Sequence, residues 1–400
     1  MKTAGIICEY NPFHNGHLYQ IKKTREAGAT HIICVMSGNF VQRGDVSILP
    51  KAAKAQMAID CGADLVLELP VVWAMSGAQT FAKGAVGILE NTGICDMLSF
   101  GSECGDVKLL SRAVEAVNDE RIEKRIKAYL NEGVSFVNAR AKAIEEVHGS
   151  EIARIIASPN DILGIEYLSA LQESSMEPFV IKRDTVHDKS SESPFKKSAG
   201  EIRELLLAGD ASFKKAMPAE AFEVLRQYAK TGQCPNTVED LDTAIMAVLR
   251  RMRAEDFKNF PDVSEGLENR IETAVKQSAS VNEILLRSKS KRYTMARIRR
   301  IVLNAYLGIG KGYSHSEVPY LRVLGMSEGG KELLKEMRES AKLPIIMKYA
   351  DFKSAGGFAR KIFEFEARAA DLYSLSFTKP APCGTEMTNA VYIASSDTAN

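Results

Sequence analysis

Residues 3–18 read TAGIICEYNPFHNGHL: six small or apolar residues, a turn holding Asn11-Pro12, then His14, Gly16 and His17 where a helical pattern begins. A continuous apolar run that short, bounded by turn residues, is the pattern of a strand buried on both faces. Working outward, similar runs recur at 31–36, 63–69 and 94–100, and helical periods fill 17–27, 50–61 and 78–91 between them. Strand and helix in that cadence predict an α/β fold, a doubly wound parallel sheet with right-handed crossovers and helices on both faces. Residues 106–148 turn helical and charge-rich, Ser158-Pro159 supplies an N-cap and first-turn proline for a helix to about 173, and 177–183 reads as a fifth strand. After Asp210 no strand of similar strength is expected, and helical periodicity dominates to about 368. The expected division is a first domain over 1–212 with a helical insertion at about 106–150, a mainly helical domain over 213–380, and a loose tail over 381–400.

The 52 Lys plus Arg offset 51 Asp plus Glu, and with 45% hydrophobic and 26% charged residues the 400-residue chain is ordinary globular protein, which excludes dominant disorder. No stretch approaches the ~18–20 apolar residues of a membrane helix, and the first apolar run is too short for a signal peptide, so the expected location is cytoplasmic with no membrane contact. Seven cysteines without a CxxC pair point to reduced thiols rather than a disulfide framework or a zinc site.

In an open α/β sheet, ligands bind beyond the carboxyl ends of the strands, where the loop 9–16 lies. Pro12 stiffens that loop, Gly16 permits close backbone approach, and His14 and His17 sit at a helix N-terminus whose N–H groups and dipole attract anions. Such a cradle stabilises charge building on an α-phosphate as pyrophosphate leaves, with no covalent nucleophile required. The alternative is a pair of capping histidines or a partial metal site. With 6 His and 28 Gly, HxGH arises by chance roughly 0.006 times in such a chain, so the motif carries weight. A second cluster, Ser198-Ala199-Gly200-Glu201-Ile202-Arg203, opens a helix at 201–207, with Ser198 able to cap and Arg203 one turn in. It reads equally as a phosphate site or an ordinary capped surface helix. A third feature is basic: between 281 and 311, Arg287, Lys289, Lys291, Arg292, Arg297, Arg299, Arg300 and Lys311 face only Glu283. Its readings are an RNA-backbone surface, salt-sensitive and sequence-blind, or a solvated helix.

His14-x-Gly16-His17 after a strand resembles the HxGH signature of the nucleotidyltransferase superfamily, and Ser198 to Arg203 resembles its later phosphate-binding motif. ICEYNPFHNGHLYQ at 7–20, MSGNFVQRGD at 36–45, SPNDILGIEYL at 158–168 and KRYTMARIRRI at 291–301 together are similar to the tRNA(Met) cytidine acetate ligase family. That resemblance implies ATP-dependent activation of acetate as acetyl-adenylate, then transfer to N4 of the wobble cytidine of elongator tRNA(Met). It implies ATP contacts at Ile7, Cys8, Glu9, Tyr10, Asn11, Pro12, Phe13, His14, Asn15, Gly16, His17, Leu18, Tyr19 and Gln20, and at Gly101, Asn160 and Arg183. Ser198 and Arg203 extend this ATP set, while His14 and His17 are the catalytic pair. Lys289, Lys291, Arg292, Arg297 and Arg300 are the candidate tRNA contacts. ATP is thus expected as substrate, with Mg²⁺ beside it on chemical grounds alone. No metal-ligand set and no obligate protein partner are legible. The chain departs from the family pattern at Lys54, Gln56, Lys197 and Gly200, which points to altered tRNA handling and puts one phosphate contact in doubt. The loop 37–45 is expected to border the acetate, with Arg43 or Lys51 meeting a carboxylate or phosphate; an Arg43–Asp45 ion pair is the competing expectation. The rival functions are an adenylyltransferase for a small phosphorylated acceptor and a tRNA-binding protein without chemistry.

Overall fold

The computed structural model describes residues 1–134, 136–183, 197–264, 266–290 and 292–394. Its core is an eight-stranded sheet: β1 (Thr3–Cys8), β2 (His31–Ser37), β3 (Leu65–Leu69), β4 (Met97–Ser102), β5 (Glu177–Lys182), β6 (Leu321–Met326), β7 (Ile345–Ile346) and β8 (Tyr392–Ile393). The order is β8-β6-β3-β2-β1-β4-β5, with β7 beside β6, and every pair is parallel except β3 with β6. The first five strands have the doubly wound arrangement expected, and the strand order reverses between β1 and β4. That reversal opens a crevice at their carboxyl ends, where ligands of such sheets bind. Among the described residues no helix is long and apolar enough to cross a membrane.

Helices α1 (Asn15–Glu26), α2 (Lys51–Asp60) and α3 (Ala78–Asn91) connect the first four strands. β3 starts later than the apolar run at 63 because the Ala63 N–H returns to the Ala58 carbonyl at 3.0 Å and closes α2. Between β4 and β5 the helical insertion ends in α4 (Pro159–Ala170). Ser158 precedes α4 without capping it, its hydroxyl turned back to the Arg154 carbonyl at 3.2 Å. Beyond 197 come α5 (Ala199–Leu207), α6 (Met295–Leu307) and α7 (Gly356–Tyr373).

Two expectations are corrected. A strong strand does follow Asp210, because β6 joins the sheet antiparallel to β3, across the proposed boundary near 212. Arg322 broke its apolar run in the sequence, yet this side chain is buried. The tail over 381–400 is not loose where it is described. Thr385–Thr388 is helical, β8 pairs with β6, and the Tyr392 hydroxyl donates to Asp60 Oδ1 at 2.7 Å.

One buried ionic cluster fastens these late elements to the sheet. Lys51 Nζ lies 2.5 Å from Glu68, 2.8 Å from Glu386 and 3.4 Å from Glu366, while Arg322 lies 2.9 Å from Glu68 and also meets Glu386. Burial and the neighbouring Glu68 carboxylate push the Glu366 carboxyl up to about 8. Glu366 therefore keeps its proton at neutral pH, and two cations face two carboxylates. That balance matters because an uncompensated buried charge costs several kcal/mol, roughly 3–5 when one partner of a pair is removed.

Candidate active site

His14 and His17 bracket the start of α1 and cap it reciprocally. His14 Nδ1 accepts the Gly16 N–H at 2.9 Å, and His17 Nδ1 accepts the His14 N–H at 3.2 Å. The imidazoles stack at 3.8 Å, and His17 packs against Tyr10 and Phe13 at 4.7 and 5.5 Å. Burial, then the charge of Arg183, lowers His14 to about 4, while burial, His14 and Arg183 hold His17 well below the ordinary histidine value. Both rings are thus neutral near pH 7. With each Nδ1 accepting a backbone N–H, each proton resides on Nε2. Capping, read as an alternative to phosphate chemistry, is what fixes the tautomer that chemistry needs. Gly16 is required for a reason invisible in the sequence: a Cβ there would lie 2.7 Å from the His14 ring.

The polar end of β4 completes the crevice. Arg183 extends the β4–β5 pairing through its N–H to the Ser102 carbonyl at 2.8 Å, and its guanidinium donates to Asn160 Oδ1 at 2.9 Å. Gly101 lets Arg183 lie across the strand end, since a Cβ would come within 2.9 Å of the Arg183 side chain. Asn160 Nδ2 donates to Glu103 Oε1 at 2.6 Å, and buried Asp161 accepts from the Ser102 hydroxyl at 2.5 Å and the Glu103 N–H at 2.8 Å. The structure therefore brings Gly101, Asn160 and Arg183 together beside the histidines. Glu103 and Asp161, which orient them, were not singled out in the sequence; the acidic residue just beyond β4 was the available signal.

Ser198 caps α5 in a reciprocal box, its Oγ accepting the Glu201 N–H at 3.3 Å and Glu201 accepting the Ser198 N–H at 2.7 Å. Arg203 reaches the Asn11 carbonyl at 2.8 Å and so joins the second motif to the first. Other members of the 7–20 segment hold the loop itself. Asn11 Oδ1 accepts the Ile48 N–H at 2.7 Å, Glu9 accepts the Gln42 N–H at 2.8 Å, and Gln20 donates to the Ser99 carbonyl at 3.1 Å. Lys54 is fully buried and donates to the carbonyls of Glu9, Ser37 and Gly38 at 2.9, 2.9 and 2.8 Å. It ties the carboxyl ends of β1 and β2 together under the site, so this departure from the family pattern is a buried strut rather than an RNA contact. Burial lowers its ammonium to about 8. Lys51 is enclosed by the ionic cluster and does not offer its charge to a phosphate; Asp45 faces Arg299 at 3.8 Å instead of pairing with Arg43.

The HIGH Nucleotidyl Transferase family model matches residues 1–386. The tRNA(Met) cytidine acetate ligase of Acetivibrio thermocellus is 37% identical over 414 aligned residues, covering 98% of this chain and 100% of the relative. That of Thermoanaerobacter sp. strain X514 is 39% identical over 396, covering 96% and 98%. The chain belongs to the tRNA(Met) cytidine acetate ligase family. In structure it is similar to Thermotoga maritima TmcAL, with TM-scores of 0.91 to the apo form and 0.90 to the form bound with alpha-thio ATP, at 32% identity over 98% of this chain and 99% of each. As a member of the tRNA(Met) cytidine acetate ligase family, the chain is a ligase on a HIGH nucleotidyltransferase fold.

The basic segment of this ligase is less uniform than its sequence. Arg300 Nε donates to Asp262 Oδ2 at 2.7 Å with its side chain 11% exposed, and Arg297 donates to the Asp262 carbonyl and Ser264 hydroxyl, both at 2.8 Å. These two arginines brace the loop before residue 264. Lys289 and Arg292 are exposed, and Lys291 lies outside the described residues.

Proposed function

We propose that this chain activates acetate with ATP as acetyl-adenylate and transfers the acetyl group to N4 of the wobble cytidine of elongator tRNA(Met), giving N4-acetylcytidine. ATP lies along residues 7–20 with Gly101, Asn160, Arg183, Ser198 and Arg203 around it. An acetate oxygen attacks the α-phosphorus and pyrophosphate leaves. Nε2–H of His14 and His17 donates to the phosphate oxygens as their charge grows, and Arg183 adds a fixed positive charge, a preorganised arrangement needing no reorganisation during reaction. N4 of cytidine then attacks the acetyl carbonyl, the bond to the adenylate oxygen breaks, AMP departs, and the proton lost from N4 passes to water. Holding both partners at one sheet edge keeps the mixed anhydride from water until the base arrives. Mg²⁺ is proposed to travel with ATP, whose phosphate oxygens are ligands that suit it. Residues 1–212 together with the sheet strands β6, β7 and β8 serve adenylation, and the helical remainder of 213–380 serves tRNA, with Lys289, Lys291 and Arg292 on the phosphate backbone and Arg297 and Arg300 shaping the surface beside them. A cytoplasmic location belongs to the same proposal.

The observation that supports this reading most is the pair of neutral, Nδ1-accepting imidazoles at the start of α1, with Arg183 close enough to lower both. Nucleoside mass spectrometry tests it. Labelled acetate with ATP should place label in tRNA cytidine, and labelled acetyl-CoA without ATP should not. The reverse result would overturn the ligase mechanism, and labelled AMP on a small acceptor would favour the adenylyltransferase.

A further inference from the structure

A cavity lined by none of the proposed ATP contacts lies against the basic helix α6. It occupies about 70 Å³ between the Gly44-Asp45 turn and three later helices, with aliphatic walls from Val281, Leu285, Val302 and Leu303 and with Asp45, Arg299, Glu239 and Asp242 beside them, Asp242 already accepting the Val281 N–H at 2.6 Å. At ~10–15 Å³ per water it holds on the order of five waters, space suited to a planar ring rather than a peptide. Asp45 is arranged to accept a hydrogen bond there. Its Oδ1 takes the Val46 N–H at 2.9 Å, whereas its Oδ2 faces the Arg299 guanidinium at 3.8 Å, beyond hydrogen-bond reach. Burial raises the Asp45 carboxyl, with Arg299 and then Arg203 pulling it back. The Gly44-Asp45 wall follows Gln42, whose N–H donates to Glu9 of the site loop at 2.8 Å, and Arg299 on the opposite wall projects from the basic helix α6.

We propose that this cavity receives the base of the acceptor cytidine, its ring between the aliphatic walls, and that Asp45 reads the exocyclic amine. The inference rests on the ligase reading above and adds the residue that selects the base. A carboxylate accepts a hydrogen bond from N4 of cytosine and repels O4 of uracil, and unstacked loop bases are the features by which single-stranded RNA is recognised.

The test measures affinities of two tRNA(Met) transcripts that differ only in C or U at the acetylated position, alongside acetate-dependent ATP/pyrophosphate exchange. Wild-type protein should prefer C by about tenfold, and Asp45→Asn, whose amide can donate to O4, should reduce that preference to about twofold or less. Asn282→Trp places a ring over the cavity mouth from an exposed position and should raise KM for tRNA about tenfold while exchange stays within about twofold. Full discrimination in Asp45→Asn, or an unchanged KM in Asn282→Trp, overturns the proposal. Failure of the ligase reading is separately visible: wild-type protein would then discriminate C from U yet incorporate no acetate.

Discussion

The Arg203 guanidinium donates to the Asn11 carbonyl across 192 residues of chain. This contact holds the 198–203 segment against the histidine loop, so the position of α5 and the shape of the 7–20 segment depend on each other. Arg203→Met should therefore loosen the loop as well as remove a phosphate contact. The expected result is a rise of about tenfold in KM for ATP, consistent with ~1.5–3 kcal/mol for a hydrogen bond to a charged group, with Arg203→Lys intermediate. Exchange kinetics at varied ATP decide it, and equal KM values would detach α5 from the nucleotide site.

Replacing His14 or His17 with Ala should lower acetate-dependent exchange by ~10²–10³, the effect of one lost preorganised donor. The pH dependence has a defined sign. His14 titrates near 6.5 when unfolded and about 4 when folded, so the fold resists its protonation. The stability this gives is present above pH 6.5 and is lost as pH falls towards 4. Urea titrations between pH 7 and 4 should show that decline weakened in His14→Ala. An unaltered slope would mean the ring is not buried as a neutral base.

Glu366 carries the opposite sign. Its carboxyl titrates near 4.5 when unfolded and about 8 when folded, so its contribution is complete below pH 4.5 and lost as pH rises through 8. Glu366→Gln, already its neutral equivalent, is spared that loss, so at pH 6 it should be more stable than wild type by up to about 2 kcal/mol, and its stability should stay flat between pH 4.5 and 8. Glu68→Gln should cost ~3–5 kcal/mol, because it strips a carboxylate from Lys51 and Arg322. Similar losses in both variants would show that Glu366 is ionised.

Charge reversal at the exposed Lys289 and Arg292 should weaken tRNA binding and reduce the slope of log K against log salt by about 1.5–2, with exchange unchanged. Arg300→Glu should instead destabilise the Asp262 loop, since that arginine is 11% exposed and paired. A salt slope that stays constant in the double reversal would leave this face a solvated helix.

The α/β framework and its site loop were legible because continuous apolar runs, helical periods and HxGH are local patterns, and local patterns follow from burial and backbone geometry. Thr3–Cys8 and Ala78–Asn91 have the bounds their residues imply. β6 was hidden for the opposite reason. Arg322 is tolerable in a buried strand only because Glu68 and Glu386, from distant parts of the chain, neutralise it there. The same holds for Lys54, whose three carbonyl partners come from two strand ends, and for Arg300, whose charge looks available until Asp262 is placed beside it. Sequence by itself determined the first five strands, the helices between them and the loop that brings His14 and His17 to the carboxyl edge of the sheet. Only the tertiary structure decided which charges are buried in pairs and which remain for ligands, because desolvation and pairing depend on neighbours that the chain order does not contain.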